Sequence, residues 1–172
     1  MTVIDLGGGA TDRASSAAGP ATLIDLNNTA NDTGTIDTFE IWANTNLTAC
    51  QAATAYLVSG NSWTSRDYQS VGNITSGSKQ TFTGLSIDVT LGDAICFEWS
   101  GTGAMERDVS GSGVKYFSQV SIPFTNKDFG ATIAARTYSV YETGATLGWA
   151  GEFCGVAVAE FDGVVPAEID GV

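Results

Sequence analysis

The strongest constraint on the fold is the alternation of apolar and polar residues within residues 79–100, which read KQTFTGLSIDVTLGDAICFEWS. The odd positions of residues 85–89 and of residues 95–99 are apolar, and the even positions between 85 and 89 are polar. Successive side chains of a β-strand point to opposite faces, so each segment has one face suited to a core. Gly92, inside LGDA, permits a tight turn between them. The pattern predicts an antiparallel pair of strands within one sheet.

The rest of the chain also reads as β-structure. No segment places apolar residues at i, i+3, i+4 and i+7 over three turns, and β-branched and aromatic residues dominate the apolar runs. Eight to eleven short strands separated by Gly, Asn, Asp and Ser predict an all-β fold, an antiparallel β-sandwich that is jelly-roll-like. At 172 residues the chain has the length of one domain. We expect an N-terminal arm at residues 1–12, a single sandwich domain at residues 13–161 and an acidic C-terminal tail at residues 162–172.

The charge balance excludes several partners. Nineteen acidic residues against seven basic ones give a net charge of −12. A nucleic-acid partner or an anionic membrane requires a cluster of Lys and Arg, whereas these seven are scattered. No apolar run approaches the roughly 20 residues of a spanning helix, so we expect neither nucleic acid nor membrane as a partner. The first residues lack the basic and apolar regions of a signal peptide, which suits a virion protein released by lysis, and we expect a virion or extracellular location.

The absence of histidine argues against an enzyme. It removes Ser-His-Asp and Cys-His systems, the commonest general base at neutral pH, and the usual ligands of zinc, copper and non-haem iron. A pair of carboxylates needs no histidine, so Glu98 and Glu106 are considered as a glycosidase pair. The favoured interpretation of these two is solvated surface acids, and we expect no catalytic residues.

One polar loop has the composition of a calcium site. Asp25, Asn27, Asn31 and Asp32 lie close together in the sequence, and calcium takes six to eight oxygen ligands. No DxDxDG spacing accompanies them, so solvated turn residues remain the favoured interpretation. Calcium is therefore a possible cofactor, and no other cofactor is expected.

Three cysteines, Cys50, Cys96 and Cys154, cannot all pair within one chain. Cys96 and Cys154 lie in apolar, strand-like surroundings, which favours buried thiols. A disulfide between Cys96 and Cys154 and a bridge between two chains are the alternatives.

A loop with aromatic residues offers a candidate sugar-binding site. Trp63 and Tyr68 flank Arg66 and Asp67 within a segment rich in Ser and Thr. Aromatic rings have an apolar face suited to packing against a ligand, and the charged neighbours would bond hydroxyl groups. These four residues are the predicted sugar contacts if the protein binds carbohydrate.

Three stretches carry a resemblance to known domains: TDRASSAAGPATLIDLNNTANDTGTIDTFEIWAN (residues 11–44), GSKQTFTGLSIDVTLGD (residues 77–93) and MERDVSGSGV (residues 105–114). Their sequences resemble those of jelly-roll-like β-domains of tailed-phage virion proteins, such as tail fibres and capsid decoration proteins, and of large secreted bacterial proteins. The resemblance implies a structural or adhesive role and supplies no catalytic residues.

These observations favour a non-enzymatic structural virion protein of a bacteriophage, either a capsid decoration or a tail-associated protein. We expect it to form a homo-oligomer, with a trimer favoured, or to bind a capsid or tail protein lattice. Its terminal segments would supply the assembly contacts, at Val3, Ile4, Leu6, Val164 and Val165. The alternative is a carbohydrate-binding adhesion module that recognises surface glycans through exposed aromatics and Asp/Asn side chains, with or without calcium.

Overall fold

The computed structural model describes residues 2–146 and the short strands at residues 152–153 and 156–157. These residues contain no helix, and all their paired strands are antiparallel. The strands are β1 (Val3–Leu6), β2 (Ser15–Ala18), β3 (Ala21–Thr29), β4 (Gly34–Trp42), β5 (Leu47–Ser59), β6 (Ser62–Ile74), β7 (Lys79–Val89), β8 (Ala94–Ser100), β9 (Ala104–Asp108), β10 (Val114–Phe117), β11 (Lys127–Asp128), β12 (Thr137–Tyr138), β13 (Val140–Thr146), β14 (Glu152–Phe153) and β15 (Val156–Ala157).

Eight of these strands form a nested set of pairs. β1 pairs with β13, β3 with β8, β4 with β7, and β5 with β6. The first of the eight therefore joins the last, the second joins the seventh, and the middle two form a hairpin. Rolling such a folded-over chain gives two sheets, with the orders β1-β13-β4-β7 and β10-β3-β8-β5-β6-β11. This is the jelly-roll arrangement, and it confirms the predicted all-β antiparallel sandwich.

The predicted pairing of the two central strands is wrong. The turn at Gly92 is present, with a positive φ of 87°. However, β7 belongs to the four-stranded sheet and β8 to the six-stranded one, so this turn crosses between the sheets. Alternation reveals which face of a strand is buried but not which strand lies beside it. Ile87 and Ile95 enter the same core from opposite sides.

The main core lies between the two sheets and is centred on stacked aromatic rings. The rings of Phe39 and Phe97 are 5.4 Å apart, and those of Phe97 and Trp99 are 5.9 Å apart. Phe39 comes from the four-stranded sheet, and the other two come from alternate positions of β8. Aromatic contacts of this kind therefore join the two sheets directly.

A second cluster covers the other side of the six-stranded sheet, which we call the outer face. The even positions of β8 point to it, and Cys96 packs there with Ile24 of β3. Phe124 and Phe129 cover these residues from the segment that follows β10. The central strands β3 and β8 are thus buried on both faces over most of their length.

The first residues do not form a free arm. β1 pairs with β13 over four residues, and Ile4 and Leu6 are fully buried in the main core. Their apolar side chains alternate with polar ones, so pairing as an edge strand buries both on one face. The structure therefore corrects the assignment of Ile4 and Leu6 as contacts with a neighbouring molecule, and leaves only Val3 exposed. Val164, Val165 and the predicted tail lie outside the described residues.

Candidate functional site

The four predicted sugar contacts do not converge on one surface. Trp63 is buried in the outer-face cluster, only 6% exposed, so its ring is not available to a sugar. Its neighbours in sequence are polar because β6 lies near the edge of its sheet. Phe124 and Phe129, more than 60 positions further along the chain, cover Trp63. The prediction that Trp63 is an exposed binding residue is therefore wrong.

Arg66 and Asp67 are engaged within the fold. The Arg66 guanidinium forms an ion pair with the buried Asp93 carboxylate and lies 4.8 Å from the centroid of the Tyr56 ring. The hydrogen bond to Asp93 raises the pKa of Arg66. Asp67 accepts a hydrogen bond of 2.9 Å from the backbone N–H of Asp88 on β7. Both side chains thus tie β6 to the segment that carries β7 and the following turn.

The exposed tyrosines of this region do not form a platform for sugar stacking. Tyr68 is 43% exposed and pairs with Ala53, whose side chain lies on the outer face. Ala55 also lies on the outer face, and Tyr56 follows it by one position, so Tyr56 points to the opposite face. The two rings are therefore on opposite sides of the sheet.

The residues considered for calcium binding have separate roles. Asp25 is fully buried, and its Oδ2 accepts a hydrogen bond from the backbone N–H of Tyr138. Burial raises the pKa of Asp25, although this bond and those from Asn27 oppose the shift. Asn31 joins the loop to β1 by accepting from the Asp5 N–H at 3.1 Å and donating to the Val3 carbonyl, and Asp32 accepts from the Thr33 N–H. No group of three or more His, Cys, Asp and Glu suited to a metal occurs in the described residues.

Glu98 and Glu106 are buried rather than solvated, which corrects the favoured interpretation of both. Glu98 accepts hydrogen bonds of 2.7 Å from the backbone N–H groups of Ser121 and Ile122, and others from the side chains of β3 and β5. Glu106 accepts from the Arg13 N–H and from an asparagine side chain. Glu98 thus anchors the segment covering the outer face, whereas Glu106 holds the chain between β1 and β2.

Cys50 and Cys96 are both buried, which confirms the predicted burial of Cys96. Burial raises the pKa of Cys50 to about 12 and raises that of Cys96 well above its usual range. Cys154 lies outside the described residues, so the alternative of a disulfide between Cys96 and Cys154 is untested.

The most unusual surface is the end of the β5–β6 hairpin. β5 pairs with β8 only as far as Ala55, and the hairpin continues beyond that point without β8. We call residues 56–62 the hairpin tip. Tyr56, Leu57 and Val58 are 37%, 52% and 48% exposed, and the chain reverses at Gly60. Three consecutive apolar residues point to both faces of this hairpin, so the chain cannot bury all of them against one layer.

The sequence contains a signal for the hairpin tip. Residues 52–58, AATAYLV, read as a strand, but their last three residues are all large and apolar. A strand with one buried face alternates, so such a run requires cover on both faces or leaves part of itself exposed. In the described residues, part of this apolar run is left exposed.

No protein-family model matches the chain, and no significant match was found among curated proteins or solved structures. Within the described residues there is also no helix of the length and apolar character that crossing a bilayer requires. The fold and surface together define an all-β jelly-roll domain with a projecting apolar hairpin.

Proposed function

We propose that this chain is a non-enzymatic structural protein of a virion, decorating a capsid or associated with a tail, and that it self-associates through the hairpin tip. The exposed run of Tyr56, Leu57 and Val58 carries this proposal. A jelly roll occurs in both capsid and lectin domains, so the fold alone does not select the function. The tip supports assembly because contiguous exposed apolar side chains mark surfaces that other proteins cover.

Charge supports a second copy of this chain as the partner. Copies with a net charge of −12 repel one another, and this repulsion is smallest where they meet through uncharged residues. The tip contains no charged residue, since residues 56–62 read YLVSGNS. A contact between this tip and a different surface of the next copy closes into a ring when the rotation allows it, and a trimer is the favoured ring.

The tip also offers free backbone groups. On the β6 side of the tip, Ser62 pairs with β11 and the Asn61 carbonyl accepts a hydrogen bond from the Phe129 N–H. The free groups lie on the β5 side, where β8 does not extend alongside the tip. A strand from another copy therefore has backbone N–H and C=O groups to pair with, in addition to the apolar side chains.

Light scattering behind a sizing column, under reducing conditions, tests the proposal. We expect a discrete oligomer for the native protein, and a monomer for the Leu57→Ser, Val58→Ser double variant with an unchanged thermal unfolding midpoint. Val109→Ser is the matched control, because Val109 is 61% exposed in the loop after β9 and should leave the oligomer intact. A native monomer, or a double variant that keeps the oligomer, would show that the tip does not mediate assembly.

A further inference from the structure

A pocket open to solvent lies beside the small sheet β12-β9-β2. Its volume is about 210 Å³, room for roughly seven waters at about 30 Å³ each. It thus has the size for a small organic molecule. Two of the seven basic residues of the chain line it, with two tyrosines, and none of its lining residues within the described part of the chain is acidic. These lining residues are Ala17, Arg107, Tyr116, Ile133, Arg136 and Tyr138.

The strands bring these residues together from distant parts of the chain. Arg107 on β9 is the register partner of Tyr138 on β12, so their side chains share one face of the small sheet. Arg136 precedes Tyr138 by two positions, which favours the same side in extended chain. Tyr116 on β10 reaches across and donates a hydrogen bond of 3.2 Å to the Ala18 carbonyl.

Neither arginine of the pocket is neutralised by a carboxylate within the described residues. The Nε of Arg107 donates to the Ser16 carbonyl at 3.0 Å, but its Nη1 is buried and has no acceptor in that part of the chain. Among the described residues, the Arg136 side chain donates only to the carbonyl of the adjacent Ala135. Buried donors are normally paired, so Arg107 keeps a donor that the described residues do not satisfy.

Tyr138 adds a further donor. Burial raises its pKa to about 12; Tyr116 and the Asp25 carboxylate add to the shift, and Arg107 and Arg136 oppose it. Its hydroxyl therefore stays protonated at neutral pH. Tyr138 lines the same pocket as Arg107 and Arg136.

We propose that this pocket binds a small ligand bearing an oxyanion, a carboxylate or a phosphate monoester, together with an apolar group. The oxyanion accepts hydrogen bonds from Arg107 and Arg136, whose planar guanidinium groups match such oxygens in pairs. The apolar part of the ligand packs against Tyr116 and Ile133. A protein of this net charge repels anions at long range, so binding depends on these local cations, and the site is independent of the hairpin tip.

Calorimetric titration with benzoate and with phenyl phosphate, at one fixed ionic strength, tests the proposal. We expect saturable binding of one equivalent of at least one probe, and the tighter probe identifies the anion. Arg136→Gln should weaken binding at least about tenfold, since a hydrogen bond to a charged group contributes that much. The hydrogen bond of its side chain in the described residues is to the adjacent Ala135, and the bond from Asn27 reaches its backbone carbonyl, so the fold should survive this change.

Lys79→Gln is the matched control, because it removes the same charge from a partly exposed side chain on the four-stranded sheet. It should leave the affinity unchanged. Tyr138→Phe keeps the buried ring and should weaken binding by removing one donor. A response that does not saturate, or an equal loss in the Arg136 and Lys79 variants, would overturn the proposed site.

Discussion

Glu142 is a carboxyl group placed inside the main core, and replacing it should stabilise the protein. It lies on β13 opposite Leu6 of β1 and Phe39 of β4, and all three side chains are fully buried. Neither of its side-chain oxygens has a hydrogen-bond partner in the described residues. Methionine has a similar length and no such oxygen. We expect Glu142→Met to raise the free energy of unfolding by about 1–3 kcal/mol even where Glu142 is protonated.

The stabilisation should grow with pH. Burial raises the pKa of Glu142 well above its usual 4.5, so the folded state holds the proton more tightly than the unfolded chain does. The stability that this tighter proton binding contributes is fully present below the pKa of the unfolded state and is lost as pH rises towards the pKa of the folded state. The loss amounts to about 1.4 kcal/mol per pH unit for one group. Because methionine does not titrate, the difference between the variant and the native protein widens at this rate and then levels off.

Urea unfolding from about pH 4 to about pH 8 measures this difference directly. Glu40→Met is the matched control, since Glu40 lies on the neighbouring β4 and forms a surface ion pair with Lys79. A pair of this kind contributes about 0–1 kcal/mol, and its loss should not produce a widening gain. Parallel pH curves for Glu142→Met and the native protein, or a lower stability of that variant at every pH, would refute a buried protonated carboxyl.

Three further predictions concern stability and thiol chemistry. Val3→Ser should change the free energy of unfolding by no more than about 0.5 kcal/mol. Deletion of residues 1–9 should lower it, because the deletion removes two fully buried side chains worth about 1.5–3 kcal/mol each. Urea unfolding measures both changes, and an unchanged stability of the deletion variant would mean that these residues form a free arm. Glu98→Ala should destabilise by about 3 kcal/mol or more and speed hydrogen exchange at the two amides it holds, while equal exchange rates would contradict the anchor. With its pKa near 12, Cys50 in a Cys154→Ser background should be alkylated only upon unfolding, and rapid labelling of the folded protein would contradict its burial.

The fold class could be predicted because side-chain alternation is local. A Gly-Asn pair between two apolar runs is a hairpin signal, and Gly60-Asn61 does lie at the turn between β5 and β6. Burial in a particular place could not be predicted so well: Trp63 has the sequence surroundings of a loop but is covered by Phe124 and Phe129. The sequence predicts that Glu98 and Glu106 are surface acids, because the groups that donate hydrogen bonds to their buried carboxylates come from distant parts of the chain.

The pocket lined by Arg107 and Arg136 also depends on contacts between residues far apart in the chain. Arg136 and Tyr138 are in phase on one segment, a signal present in the sequence. Their proximity to Arg107 and Tyr116 arises only from the order of strands β9, β10 and β12.

The sequence by itself determined that this chain forms β-strands with one or two apolar faces, that its turns fall at glycine and asparagine, and that it carries a large negative charge and no histidine. These are local properties of residue type and spacing. Only the tertiary structure decided that β7 and β8 belong to different sheets, that β1 closes the roll, and which apolar residues of the hairpin tip remain exposed. Each of these depends on contacts between residues far apart in the chain, which a period of two along one strand does not specify.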